Sequence, residues 1–357
     1  PVDPAPADPA SSDPVFEFPH ISDVVAWRNG YVGVGNVDQS RVTTDGAFTV
    51  AQPAAFFTAG NGLDWTVTQR APNPPDMPAR VVPVGHGLLA LGSGLDAGRT
   101  DLWWSDDGAH WTAVGGSSWR AAWPSFANIV AVAAGPGGVV VIGTLPATAP
   151  TVPRPIVAHS ADGRAWERLQ LPAIFDHAFF QDAASFPGGF VIVGRVDRPG
   201  ASPAPGAPDW LPTSTPAAWT SVDGTTWSAA TLDASPSQGA QLNRVLVGAR
   251  GLAAFGVRSW KGEPARWTSV DGRTWHPAGG GSESAATAFA SDGSRMIALA
   301  VTDELLGWVS SDGLAWTRLV MSGTPTRLPD QAWLEPDRLI TTAWEGMNQE
   351  LWVAVPN

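Results

Sequence analysis

Apolar residues come in short runs, each bounded by glycine, proline or aspartate. Seven runs share one form, an apolar strand that usually ends in glycine. They are Tyr31-Val32-Gly33-Val34-Gly35, Leu88-Leu89-Ala90-Leu91-Gly92, Val139-Val140-Val141-Ile142-Gly143, Phe190-Val191-Ile192-Val193-Gly194, Leu252-Ala253-Ala254-Phe255-Gly256, Met296-Ile297-Ala298-Leu299-Ala300 and Leu339-Ile340-Thr341-Thr342-Ala343. Runs this short, rich in Val, Ile and aromatics and flanked by turn residues, predict strands. A tight turn precedes each, such as Asn29-Gly30, Pro136-Gly137-Gly138 or Pro187-Gly188-Gly189. Such turns join antiparallel neighbours.

A second pattern lies between these strands. Ser, two positions later Asp-Gly, then Trp three residues after the Gly, occurs in five full copies: Ser105–Trp111, Ser160–Trp166, Ser221–Trp227, Ser269–Trp275 and Ser310–Trp316. Ala59-Gly60-Asn61-Gly62-Leu63-Asp64-Trp65 is a degraded sixth. Apolar residues on both sides make each copy a hairpin turn. Gly supplies positive φ at little steric cost, Asp accepts hydrogen bonds from the turn's own amides, and Trp caps it with a large apolar face. The motif resembles the Asp box, Ser-x-Asp-Gly-x-x-Trp, of the sialidase-like (BNR-repeat) β-propellers, over nearly the whole chain. The resemblance implies an all-β propeller. Asp107, Asp162, Asp223, Asp271 and Asp312 are expected to be structural. A residue needed once for chemistry need not recur in every blade, and the spacing lacks the alternating oxygen ligands of a calcium loop.

The motif tryptophans, at 65, 111, 166, 227, 275 and 316, are spaced by 46, 55, 61, 48 and 41 residues, which suits one four-stranded blade per repeat. Seven second strands against six boxes predict a closed seven-bladed β-propeller of four-stranded blades over residues 15–357. Val15-Phe16-Glu17-Phe18 is expected to complete the last blade beside Leu351-Trp352-Val353-Ala354-Val355, leaving no blade unpaired at the seam. Residues 1–14, made of Pro, Ala, Asp, Ser and Val, are expected to be a disordered linker.

Composition narrows the function classes. A net charge of −12 disfavours nonspecific nucleic-acid binding. The absence of Cys removes disulfides and thiolate metal sites, and no apolar run is long enough to span a membrane. The six histidines show no metal-ligand spacing, so no metal and no cofactor is expected. The Pro/Ala-rich start looks like the mature end of a secreted or surface-tethered bacterial protein, so an extracellular or cell-surface monomer is expected.

Propeller ligands usually bind at the end opposite the boxes, called the top, as the resemblance implies. Of the 19 tryptophans, several fall outside the repeat and in predicted top loops: Trp119, Trp123, Trp210, Trp260 and Trp344. Trp faces stack on sugars and anchor protein partners, and they also pack loops onto a core. Trp210, Trp260 and Trp344 are the candidate anchors, with Arg195, Arg258 and Asp176 as polar partners. Asp176-His177 opens an innermost strand.

A sialidase, as the resemblance implies, would carry three Arg for the substrate carboxylate, a Tyr/Glu nucleophile pair, an Asp acid/base and an Arg-Ile-Pro motif. The chain has one Tyr, Tyr31, beside a bottom turn, and no Arg-Ile-Pro. Sialidase activity is therefore not expected. The expected role is noncatalytic binding of a glycan or protein through the top face. The alternative is a glycoside hydrolase or lyase, which would need two carboxylates facing across a sugar cleft.

Overall fold

The computed structural model describes residues 15–42, 48–70, 76–94, 102–114, 116–124, 126–145, 154–198, 206, 213–234, 237–279, 281–301, 305–319, 331–335, 338–345 and 348–354. The expected linker, residues 1–14, and Trp210 lie outside them. The chain divides into two compact units, one of residues 1–116 with 337–357 and the other of residues 117–336.

The first unit holds two four-stranded antiparallel blades. The first blade runs Val15–Trp27, Gly30–Val42, Ala54–Ala59, Thr66–Arg70, with Phe48–Ala51 paired beside its second strand. The second runs Asp76–Val84, Gly87–Gly94, Leu102–Ser105, Thr112–Ala113. The hairpin Arg338–Glu345/Asn348–Ala354 belongs to the same unit.

The second unit holds four blades. The third begins at Asn128–Gly135 and Gly138–Leu145, the fourth at Ala178–Phe186 and Gly189–Asp197, the fifth at Gln241–Gly248 and Gly251–Val257, and the sixth at Ala288–Ser291 and Met296–Val301. Each continues through a third strand, a Ser-x-Asp-Gly-x-x-Trp turn and a fourth strand.

This corrects the expected seven-bladed ring: the structure has six four-stranded blades. Among the described residues three strands, Gln331–Glu335 and the two of the last hairpin, follow the sixth blade, and they make no four-stranded blade. The proposed seam fails for a physical reason. Val15–Phe18 is the start of the first blade's own innermost strand, in register with the second strand from Val15↔Arg41 to Trp27↔Gly30. Glu17 holds it there through a two-pronged pair with Arg70 of the same blade, at 2.8 and 2.9 Å. The Arg70 guanidinium holds the Glu17 carboxyl below its ordinary pKa. The last hairpin touches this strand through a side chain: the Gln349 amide bonds both the N–H and the C=O of Ile21, at 2.7 and 3.0 Å.

The core is a stack of second strands. Val139–Ile142, Phe190–Val193 and Leu252–Ala254 are each at most 1% exposed. One cluster joins Phe175, Phe180, Trp219 and Trp227 by ring contacts. The innermost strands of the first five blades share a one-residue register shift, for example between Ile21 and Asp23 and between Phe180 and Asp182. Such a bulge re-aims the next side chain. Twice that side chain is an aspartate reaching the next blade: Asp23 accepts from the Val81 amide at 2.9 Å, and Asp182 from the Val245 amide at 3.0 Å.

Candidate functional site

The repeated turns are closed hydrogen-bond systems. In all five full copies the Ser Oγ accepts from the Gly amide at 2.8–2.9 Å. The Asp Oδ1 accepts from the two amides after the Gly at 2.7–3.0 Å. The Trp Nε1–H donates to the Gly carbonyl at 2.9–3.1 Å in all six copies. The six glycines have φ of 71–83°, the left-handed region in which a side chain is strained. In the degraded copy Asn61 Oδ1 takes the aspartate's place, accepting from Leu63 and Asp64, while Ala59 replaces the serine.

These bonds stabilise the charged aspartate. The His110 ring and amide hold Asp107 well below the usual carboxylate range, and the Thr226 amide does the same for Asp223. Asp162 is lowered by the Ala165 and Arg164 amides. At Asp271 and Asp312 burial pushes upward, but the turn amides outweigh it. A depressed folded-state pKa gives stability that is present above the unfolded value, about 4, and is lost as pH falls through the folded value. The melting temperature should therefore fall on acidification below about pH 4. Asp223→Asn keeps an acceptor, as Asn61 does, so it should flatten this fall. Asp223→Ala should cost about 0.5–1.5 kcal/mol in urea unfolding, because the amides it leaves are exposed.

The candidate top residues of the second unit meet at one end of the fourth and fifth blades. Arg195 and Phe179 are cross-strand partners, and the guanidinium lies over the Phe179 ring at 4.2 Å. Arg195 Nε donates to Asp197 Oδ1 at 2.7 Å and Nη1 to Gln241 Oε1 at 2.6 Å. Gln241 pairs with Val257, which opens the hairpin tip carrying Arg258 and Trp260. That tip is closed by Arg258 N–H to Glu263 O and Gly262 N–H to Ser259 O. Trp260 is half-buried, with Lys261 Nζ 5.8 Å from its ring, and Arg258 is exposed. Asp176 ends the short 3-10 turn Ala173–Phe175 and is exposed. His177 follows it with φ 61°, and its carbonyl accepts from the Asp197 amide at 3.0 Å. A non-glycine residue in that region is strained, and such strain collects at functional sites.

The structure thus brings Arg195, Arg258, Trp260 and Asp176 to one corner. Trp344 lies on the strand Arg338–Glu345 of the other unit, and its side chain is outside the described residues. Trp119 and Trp123 are core: stacked at 5.4 Å, 1% and 3% exposed, with Trp119 edge-on to Trp166. The sequence reading missed Phe179 and Gln241. Their signal was positional, since each sits at the end of its strand away from the boxes.

Among the described residues no group of three or more His, Asp or Glu is placed to hold a metal ion, and no helix is long and apolar enough to cross a membrane.

In fold the chain is similar to the β-propeller domain of the Trilobed protease from Pyrococcus furiosus, at 10% identity, 94% of this chain, 93% of that one and TM-score 0.54. It is also similar to YCF48 bound to D1 peptide, at 14% identity, 99% of each chain and TM-score 0.53. The Hadza microbial sialidase Hz136 aligns at 14% identity over 86% of this chain and 76% of that one, with TM-score 0.49. The chain has a β-propeller fold. No protein-family profile and no curated protein matches it. At these identities the likeness extends to the fold alone, and the propeller's chemistry is read from its own residues.

Proposed function

We propose that this propeller is a noncatalytic binding module whose ligand is a protein segment carrying a carboxylate, held at the Arg195 corner. The supporting observation is the Arg195 guanidinium, 4.2 Å over the Phe179 ring and fixed by Asp197 and Gln241. A guanidinium fixed in advance loses little freedom on binding a carboxylate, and its planar fork suits that group. Arg198, Arg258 and Lys261 are exposed near the same strand ends, with the carboxylates Asp176 and Glu263 exposed beside them. The peptide-bound state of YCF48, a protein of this fold, adds support for a protein ligand over a glycan. An extracellular setting and a monomeric state belong to the same proposal.

The test is binding of the whole chain to arrays of synthetic acidic, neutral and basic peptides and of glycans, with a parallel assay for released reducing ends. Acidic peptides should bind, more weakly as salt rises. Arg195→Ala should weaken that binding at least about tenfold, ~1.4 kcal/mol. Binding confined to glycans, or release of reducing ends, would overturn the proposal.

A further inference from the structure

The first unit has a cleft of about 310 Å³ at the box end of its blades, and none of its lining residues is among the ligand contacts named in the sequence reading. It lies beside the degraded turn, where Ala59 and Gly60 stand in the wall. Its aromatic surface is Trp27 and Tyr31, and its polar rim includes Arg28, Asp64, Thr58 and Thr66. Arg28 adopts φ 55°, and its Nη2 donates to the Asp106 carbonyl at 2.6 Å, which fixes the guanidinium across the opening. Asp64 is exposed and uses Oδ2 to accept from Asn61 Nδ2 at 2.7 Å. Trp27 Nε1–H is buried and has no acceptor. A buried donor left unpaired is costly and calls for a partner.

We infer that this cleft binds one neutral sugar ring of a glycan. Three features of the chemistry select that class. The partly exposed Trp27 indole offers apolar area to the C–H face of a pyranose, while Tyr31 is buried in the wall with Arg338 5.2 Å from its ring. One guanidinium and one carboxylate with free hydrogen-bonding capacity, plus two threonine hydroxyls, supply donors and acceptors in balance for hydroxyl groups. A net-charged ligand would meet one of the two opposite charges unfavourably. The second carboxylate in the wall, Asp107, is spent on its own turn and on the His110 ring. The volume is at the small end of ligand sites, ~300–1,000 Å³, enough for a single ring but not for a folded peptide motif. This inference is independent of the Arg195 corner, which lies in the other unit.

The test titrates the whole chain with methyl glycosides of glucose, galactose, mannose and N-acetylglucosamine, and with neutral oligosaccharides built from them. Saturation-transfer NMR and calorimetry report binding. At least one neutral probe should bind. Trp27→Phe keeps a ring and removes the indole N–H, and Asp64→Ala removes an exposed carboxylate. Each should weaken binding about tenfold, Asp64→Ala with an unchanged melting temperature. Glucuronate, glucosamine and free amino acids should bind more weakly than the neutral probes. The inference is overturned by the absence of any neutral binder, by binding indifferent to both substitutions, or by tighter binding of a charged probe.

Discussion

Glu283→Ala is expected to destabilise the protein by about 3–5 kcal/mol, the largest single effect among the charged residues described. Arg266 sits on the third strand of the fifth blade with a side chain 4% exposed, and Glu283 on the turn Ser282–Ala285 with 8%. Arg266 Nη1 donates to Glu283 Oε1, and Nη2 donates to the Gly279 carbonyl at 2.9 Å. The guanidinium lies 5.8 Å from the Trp316 ring centre. Removing the carboxylate leaves a guanidinium in a site closed to water, with Coulomb attraction gone and desolvation still in force. The pair is weak evidence for net stability, since apolar residues of matching shape can replace such pairs at little cost. Hence Arg266→Met/Glu283→Leu should recover much of what Glu283→Ala loses. Urea unfolding of the three variants checks both points. A loss below about 1 kcal/mol for Glu283→Ala would mean that water reaches Arg266.

The legible part of the fold was the part written in repeats. Each Ser-x-Asp-Gly-x-x-Trp segment folds on its own atoms, so local sequence contains the whole turn. The strand pattern was equally readable. The blade count was not, because counting second strands assumed that each begins a complete blade. The strands after the sixth blade break that assumption, and nothing local at Leu339 or Leu351 announces it. The placement of Val15–Phe18 turned on Glu17 with Arg70, a pair 53 residues apart that no periodicity marks. The candidate top residues, Arg195 and Arg258 among them, were chosen because they break the repeat. The same logic set Trp119 and Trp123 apart without choosing between anchoring and packing, and they pack, since a tryptophan outside the repeat can equally fill a gap in the core. The cleft at Trp27 escaped notice because its wall joins residues from Trp27 to Asp107, which no repeat period brings together.

The glycine that ends most second strands has a cause that the sequence alone did not reveal, and Gly194→Ala tests it. At Gly35, Gly143, Gly194 and Gly256 an added Cβ would overlap the carbonyl oxygen of His20, Asn128, Phe179 and Gln241 respectively. Each carbonyl stands where the innermost strand bulges, beside the register shifts after Ile21, Ile129, Phe180 and Leu242. The bulge presses backbone against backbone, and only glycine leaves room. The sixth blade supplies the contrast. Its innermost strand, Ala288–Ser291, pairs without a shift, and its second strand carries Ala300 at the matching place. Gly194→Ala should therefore destabilise by about 1–3 kcal/mol, the cost of overpacking a site whose neighbour is backbone and cannot swing aside. Gly279→Ala is the control, since nothing lies within 4 Å of its added Cβ, and it should be neutral or slightly stabilising. Because Gly194 adjoins Arg195, Gly194→Ala should also weaken acidic-peptide binding in the fraction that stays folded. Equal unfolding midpoints for the two variants in urea would show that the strand yields without cost, and the bulge would then have no claim on the glycine.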